Sequence, residues 1–520
     1  MMLMFALACA VGCLAASRGL IHFFQLESYQ FPGYYRTVKR NLVRCILPGV
    51  MLAAYGLFMC LIGSGSELWF SDICFAVAYV CWGVVIHQYM KKQKAKKALV
   101  FTPRVKRLYA VALVVFTLIF WGAGAVSRWL MFALPVILPA LVALAGLLAW
   151  PIEKLISEMY FRDAQRKLKA RPDLIKIGIT GSYGKTSVKF ILGTMLSEKY
   201  QTLVTPSSFN TPMGVTRIIR EKLQPSHQVF VAEMGARHVG DIKEMCRLVH
   251  PHHGVLTSVG PQHLDTFKTL ERIKKTKYEL MDAIPAGGCC FFPDDGGICR
   301  ELYDKTAKEK RLCCLKGGDA DVWAEDITVS FAGSSFLLCT KEESIRCQTK
   351  LLGAHNIQNI LLAATVCLHL GLTLRQVSRG ISRIEPVEHR LQLIPSPGVT
   401  IIDDAFNSNP RGAEAALDVI AGFNGRRIII TPGMVELGEG EDAFNRAFGE
   451  KMAKCVDVAI LVGRKHTQPI AEGLQNAGFP KENIHPVGSL EEAAAMLRQI
   501  GRPGDVALFE NDLPDNYAEA

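Results

Sequence analysis

The chain has 520 residues, half of them hydrophobic, with 59 Lys and Arg against 48 Asp and Glu for a net charge of +11. That length carries two or three domains, and the apolar residues are concentrated at the N-terminus, as if two different proteins were joined. The excess base falls largely in two N-terminal loops and in Lys154 to Arg171, where anionic lipid headgroups account for it; no aromatic-interleaved basic pattern supports a nucleic-acid partner, which is excluded.

Five apolar stretches come first, roughly Met1 to Ala16, Cys45 to Gly63, Leu68 to Ile86, Leu108 to Val126 and Leu130 to Trp150. Each is about long enough to span a bilayer as a helix. The first has no basic segment before it and four more follow, so it reads as a retained helix rather than a signal peptide. Arg36, Lys39, Arg40 and Arg44 lie between the first and second stretches, and Lys91, Lys92, Lys94, Lys96, Lys97, Arg104, Lys106 and Arg107 between the third and fourth. By the positive-inside rule both loops are cytoplasmic. Residues 1–150 are therefore expected to form a transmembrane region with its N-terminus outside, which places the rest of the chain in the cytoplasm at the cell membrane.

A cytoplasmic linker over 151–174, with an interfacial helix at Lys154 to Tyr160, leads into alternating strands and helices. The predicted strands are Lys176 to Thr180, Gln228 to Glu233, Gly254 to Ser258, Thr400 to Asp404, Arg427 to Thr431, Val458 to Gly463 and Asp505 to Glu510. That alternation predicts α/β architecture, doubly wound, with functional residues at the carboxyl ends of the strands. The amphipathic helix Asn356 to Leu370 ends at Gly371, and a fresh βα series begins at Thr400, so two domains are expected, 175–380 and 381–520. The sixteen cysteines are scattered, and the pairs Cys289-Cys290 and Cys313-Cys314 lack Cys-x-x-Cys spacing. They read as reduced, buried thiols.

Between the first strand and a helix-like segment stands Thr180-Gly-Ser-Tyr-Gly-Lys-Thr186. Gly181 and Gly184 let successive N–H groups curl toward phosphate oxygens at a helix N-terminus, where the dipole favours negative charge. Lys185 then neutralises the β- and γ-phosphates of a nucleoside triphosphate, and Thr186 offers a hydroxyl to Mg2+. Ile179 stands where a strict Walker A motif has its first glycine, so this loop is a variant. Glu233 closes the next strand at the same sheet edge, where a Mg2+ ligand is wanted; a surface carboxylate is the other reading. His263 follows the third strand, and alone it is more often structural than a ligand. Lys277, in Lys274-Lys-Thr-Lys-Tyr-Glu279, belongs by pattern to a charged, solvated helix face.

In order, the chain then carries Thr205-Pro-Ser-Ser-Phe-Asn-Thr-Pro-Met-Gly-Val215, Glu233-Met-Gly235, Gly260-Pro-Gln-His263, Gly353-Ala-His-Asn-Ile-Gln-Asn359, His389-Arg390, Asp403-Asp-Ala-Phe-Asn-Ser-Asn-Pro410 and Gly433-Met-Val-Glu-Leu-Gly438. With the phosphate loop, this succession resembles the Mur ligase family, and most closely its MurF type, from about Ile175 to Gly463. The resemblance implies a P-loop central ATP-binding domain, a Rossmann-like C-terminal domain, and ATP-dependent amide ligation in peptidoglycan synthesis through an acyl phosphate. It assigns Thr180, Gly181, Ser182, Gly184, Lys185, Thr186 and Ser187 to ATP, with His355, Asn356 and Asn359 at the adenine and Arg390 and Asp404 reaching the nucleotide from the C-terminal domain. It gives one Mg2+ to Thr186 and Glu233 and a second to His263, and makes Lys277 the lysine carbamoylated by CO2, an anionic oxygen ligand in place of a cation. Lys185, His263 and Lys277 are the catalytic group, and Asn210, Asn407 and Asn409 meet substrate.

The chain departs from that family in three places. MurF enzymes begin with a soluble domain that grips the uridine nucleotide; apolar stretches stand there instead, so the carboxylate substrate is expected to be lipid-linked or handed over at the membrane. The end, Phe509-Glu-Asn-Asp-Leu-Pro-Asp-Asn-Tyr517, replaces a basic segment with acidic residues, which suit an amine and leave the identity of the added amino acid or dipeptide open. Pro293 and Phe406 replace a customary Asn and Tyr. A membrane ligase of another polymer, such as poly-γ-glutamate, and a non-catalytic ATP-binding scaffold are the competing readings.

Overall fold

The computed structural model describes residues 2–62, 69–91, 99–206, 209–330, 333–394, 396, 398–406 and 408–512. The chain divides into two compact units, Met1–Met159 and Tyr160–Ala520.

The first unit is helical: Met2–Ala16, Arg18–Leu26, Phe31–Arg40, Leu42–Ile62, Trp69–Lys91, Pro103–Val126, Arg128–Ala133 and the start of Leu138–Lys169. Within the described residues, each predicted apolar stretch is helical. Among the described residues, three helices are long and apolar enough to cross a membrane, Leu42–Leu61, Pro103–Val126 and Arg128–Lys169, or four if the pair Met2–Ala16 and Arg18–Leu26, bent by 52°, is one span. The loop residues expected at 64–67 and Lys92, Lys94, Lys96 and Lys97 lie outside the described residues. Glycine permits close helix approach: a Cβ on Gly83 would come 2.7 Å from the Gly12 Cα, so helices Met2–Ala16 and Trp69–Lys91 touch backbone to backbone, as small residues allow. Arg107 grips Glu153 with two hydrogen bonds of 2.6 and 2.8 Å. No break marks the expected linker at 151; helix Leu138–Lys169 runs through Pro151, whose missing N–H costs one intrahelical hydrogen bond.

The second unit holds two sheets. The first comprises β1 (Ile175–Thr180), β2 (Thr202–Val204), β3 (Val229–Glu233), β4 (His253–Leu256), β5 (Cys290–Pro293), β6 (Lys310–Cys314), β7 (Val322–Ser330), β8 (Gly333–Thr340) and β9 (Ser344–Thr349). Its order is β2-β3-β1-β4-β5-β6-β7-β8-β9, parallel as far as β7 and antiparallel across β7, β8 and β9. The second comprises β10 (Gln392–Ile394), β11 (Val399–Asp404), β12 (Arg427–Thr431), β13 (Val458–Val462), β14 (Ile484–Val487) and β15 (Asp505–Glu510). Its order is β10-β11-β15-β12-β13-β14, parallel except for β10.

Both sheets are covered on both faces, and the strand period of two decides which residues go where. Ile177, Ile179, Val229, Val231 and Val255 pack with helices Lys185–Leu196 and Ala354–His369. Phe230, Ala232 and Leu256 pack on the other side with Pro212–Lys222, Asp241–Val249 and Leu270–Ala283. In the second sheet Ile429, Ala459, Leu461 and Leu508 face one core while Ile428, Ile430, Ile460 and Ala507 face another. All seven predicted strands are present; the antiparallel run β7 to β9, the edge strands β2, β10 and β14, and the short β5 and β6 are additional.

Candidate active site

Parallel pairing of β1 with β3 and β4 brings three strand ends to one edge of the sheet. From β1 the chain turns through Gly181 to Gly184, the latter left-handed at φ +77°, into helix Lys185–Leu196. The turn is packed tightly: a Cβ on Gly181 would lie 2.1 Å from Thr257 Oγ1, and one on Gly184 2.9 Å from Asn359 Oδ1. Only glycine meets both demands. Thr180 Oγ1 donates to the Met234 carbonyl at 3.0 Å and Ser182 Oγ to the Gly260 carbonyl at 2.9 Å, tying the loop to the two neighbouring strand ends. Ser187 is half-buried in the first helical turn. Lys185 curls back so that Nζ donates to the carbonyls of Gly181 at 2.7 Å and Ser182 at 3.0 Å. Burial draws its pKa down to about 8, with Glu233 opposing and Arg390 adding to the fall. An ammonium so desolvated beside helix N–H groups suits a polyphosphate.

Glu233 is the hub of the polar cluster. Its carboxylate, 1% exposed, accepts from Thr186 Oγ1 at 3.0 and 3.2 Å, from Asn210 Nδ2 at 3.0 Å and from Lys189 Nζ at 2.9 Å. Burial raises its pKa, but Lys189, Lys185 and the hydrogen bonds from Lys189 and Asn210 outweigh that and hold it below the usual carboxylate range. The surface reading of Glu233 is thereby overturned. Two oxygens 3.0 Å apart match neighbouring ligands of an octahedral Mg2+, whose bonds of about 2.1 Å set an edge of about 3.0 Å, so the donor set fits the metal. Lys189 at 0% exposure was not foreseen, although it lies one turn beyond Lys185 on the same helix face.

Lys277 corrects another expectation. Instead of a solvated face it occupies the buried side of helix Leu270–Ala283, 2% exposed. Among the described residues its amine has no ion-pair or hydrogen-bond partner. Burial, and then the charge of Lys185, push its pKa well below the usual lysine range, with Asp241 and Glu279 opposing. A neutral amine is the form that attacks CO2, and the carbamate so formed would meet Lys185 with the opposite charge. The residues therefore fit that modification.

His263 caps the short helix Leu264–Phe267 at φ +51°, and its Nδ1 lies 2.6 Å from Glu436 Oε2. Glu436, itself at φ +65°, belongs to the Gly433 to Gly438 motif, so this contact joins the regions carrying the two sheets. Burial lowers the His263 pKa despite Glu436, with Arg237 and Lys185 adding to the fall. Its Nε2 is the nitrogen left for a metal.

The second sheet brings a further group. Asp404 and Glu510 are register partners at the ends of β11 and β15, and burial raises each pKa to about 7. For Asp404 the Glu510 charge adds to the rise and Arg390 opposes it; for Glu510 hydrogen bonds from Ser408 and Thr431 oppose it. The Arg390 guanidinium lies over the Phe406 ring at 4.3 Å, and its charge acts on Glu233 and Lys185. Other assigned residues are engaged locally. Asn409 Oδ1 accepts the Gly412 N–H at 2.9 Å and caps helix Pro410–Ala421, as the sequence Asn-Pro foretells. Asn356 Nδ2 donates to the Leu352 carbonyl at 2.9 Å within its own turn. Burial lowers the His355 pKa to about 4, Asp418 opposing. Asn359 lies against the phosphate loop, and Asn210 is bound into the Glu233 cluster. Asn407 lies outside the described residues.

Two family models match, the Mur ligase middle domain over residues 179–367 and the Mur ligase glutamate ligase domain over 389–510. UDP-N-acetylmuramoyl-tripeptide--D-alanyl-D-alanine ligase of Mycobacterium tuberculosis is 31% identical over 359 residues, covering 64% of this chain and 69% of that enzyme. Among solved structures, MurF from Acinetobacter baumannii aligns with a TM-score of 0.63 at 25% identity, over 69% of this chain and 78% of that one. MurF from Thermotoga maritima, solved with ADP, shares the fold with a TM-score of 0.62 at 24% identity, over 68% and 80%.

Proposed function

The chain belongs to the Mur ligase family and is an ATP-dependent amide ligase of MurF-like type, and from that premise we propose that it joins an amino acid or dipeptide to the carboxylate of a peptidoglycan precursor at the cytoplasmic face of the membrane, by way of an acyl phosphate. The observation that carries this reading is the gathering of Lys185, Thr186 and Glu233 around the phosphate loop, with a buried Lys277 whose pKa burial and the charge of Lys185 lower.

ATP lies with its phosphates on the loop N–H groups, and Lys185 exchanges its loop carbonyls for phosphate oxygens. A substrate carboxylate oxygen attacks the γ-phosphorus, ADP leaves, and the carboxylate becomes an acyl phosphate. Thr186 and Glu233, with His263 and carbamoylated Lys277, would hold Mg2+, which supplies charge neutralisation for two anions brought together. The uncharged amine then adds to the acyl carbon; the intermediate expels phosphate, the amine gives up a proton, and the amide remains. Arg390, reaching toward Glu233 and Lys185, and Glu436 on His263 support closure over the acyl phosphate, which keeps water from hydrolysing it. Asp404 and Glu510, whose pKa values burial raises to about 7, are partly protonated at neutral pH and ionise further beside an incoming ammonium group, which they then suit.

The substrate end follows from the first unit. The M. tuberculosis relative is named for a UDP-linked tripeptide and D-alanyl-D-alanine; in this chain the helices Leu42–Ile62, Pro103–Val126 and Leu138–Lys169 support a carboxylate substrate that is lipid-linked or delivered at the membrane, where confinement to two dimensions raises its effective concentration. The test is ADP and phosphate release by the full-length protein in detergent, with UDP-linked and lipid-linked precursors paired with amino acids and D-alanyl-D-alanine. Release driven by the lipid-linked precursor is expected. Release driven equally by the UDP-linked precursor overturns the lipid-linked substrate, and no release with any pair overturns the peptidoglycan reading.

A further inference from the structure

At the opposite end of β1 from the phosphate loop, a cavity of about 740 Å3 opens between the start of β1, helix Asp241–Val249 and the segment after Leu270–Ala283; its lining includes Lys176, Lys243, Glu244, Arg247, His250 and His252. From Lys176 to Thr180 the strand covers about 13 Å at about 3.3 Å per residue, so this is not part of the nucleotide site. Its volume is that of a small-molecule pocket. Lys176 is its most telling residue. The side chain is 8% exposed, and among the described residues its Nζ has neither an ion pair nor a hydrogen bond. Burial lowers its pKa, and an anion in the cavity would offset that cost.

The surroundings specify the sign of that ligand. Lys176, Lys243 and Arg247 face one carboxylate, Glu244, and Arg247 is steadied over the Phe161 ring at 5.1 Å. His252 Nδ1 accepts the Lys176 N–H at 3.3 Å, which puts its proton on Nε2. Burial and the Lys176 charge lower the pKa of both His250 and His252, so at neutral pH each is an uncharged ring with one N–H to donate. Three cations and two neutral donors around one cavity form a receptor for a tetrahedral dianion or monoanion.

We propose that this cavity is a phosphate-binding site, taking a phosphate ester such as the headgroup of an anionic phospholipid or a soluble phosphomonoester. The two sources share the chemistry and differ in what is attached. The test titrates full-length protein in neutral detergent with its phosphate loop saturated by a non-hydrolysable ATP analogue, against glycerol 3-phosphate in one arm and short-chain phosphatidylglycerol, with phosphatidylcholine as control, in the other. Saturable binding of either probe is expected, weakened at least about tenfold by Lys176→Gln and also by the exposed pair Lys243→Ala/Arg247→Ala, with affinity for the ATP analogue unchanged. Binding of glycerol 3-phosphate assigns the soluble source, and binding of phosphatidylglycerol alone assigns the headgroup. No binding of either probe, or binding that both variants leave intact, overturns the proposal; the surface pair keeps the test valid if Lys176→Gln fails to fold.

Discussion

Lys277 shows how much one residue's environment decides. The run Lys274-Lys-Thr-Lys277 reads as a solvated face because charge patterning alone cannot tell which of three neighbouring lysines the helix turns inward; Ile273, Thr276 and Leu280 on the same side are the signal that places Lys277 there. If its amine carries CO2, activity falls in CO2-depleted buffer and returns with bicarbonate, whereas Lys277→Ala loses at least about 100-fold and ignores bicarbonate. Lys189 makes a second case. Removing it strands a buried carboxylate, so Lys189→Met should cost about 3–5 kcal/mol in denaturant titration, unless a bound cation takes its place. The Asp404 and Glu510 pair sets a pH dependence. Their pKa values rise from 3.8 and 4.5 to about 7 in the fold, so between those limits the folded state binds more protons than the unfolded one and stability falls as pH rises, levelling off above about 7. Glu510→Gln removes part of that loss. Its melting temperature relative to the unsubstituted protein should therefore climb from pH 4 to pH 7; a constant gap would contradict the shared burial.

At the scale of elements, the phosphate loop is fixed by backbone conformation more than by side chains. Gly184→Ala puts a Cβ at φ +77° against Asn359, and Gly181→Ala drives one into Thr257; each should weaken binding of an ATP analogue at least about tenfold by titration. Asn409 separates two roles by the same logic. As a cap, Asn409→Ala costs about 1 kcal/mol and Asn409→Asp almost nothing; equal losses of activity without a stability change would return it to the substrate. The strands that carry the site were legible because β1, β3, β4 and β15 are short, largely buried runs rich in apolar residues, and β11, though mostly half-buried, runs from Ile401-Ile402 into Asp403-Asp404. The hairpins β7 to β9 escaped notice because Val322–Ser330 and Ser344–Thr349 carry polar residues on an open face, and β2, β10 and β14 because three or four residues give no period to read. What pairs across the sheets was hidden for a different reason: Glu233 with Lys189, and His263 with Glu436 across 173 positions of sequence, meet only through topology.

Across the whole molecule, a helical N-terminal unit is joined in one chain to a ligase body built on two sheets. The His263 to Glu436 contact links those sheets' regions, so Glu436→Gln should lower kcat more than it weakens binding of the ATP analogue, the pattern of a group that acts on closure rather than on nucleotide affinity. The proposed reaction stands or falls on whether a carboxylate is activated by phosphorylation before the amine arrives. Isotope transfer decides it: the acceptor that drives ADP release is labelled with 18O in its carboxylate, and the released phosphate is read by mass spectrometry. One 18O in each phosphate is the result expected, since the oxygen that attacks the γ-phosphorus leaves with it when the amide forms. Amide product accompanied by unlabelled phosphate would contradict the acyl phosphate, and with it the roles of Lys185, Glu233 and Lys277 in forming one.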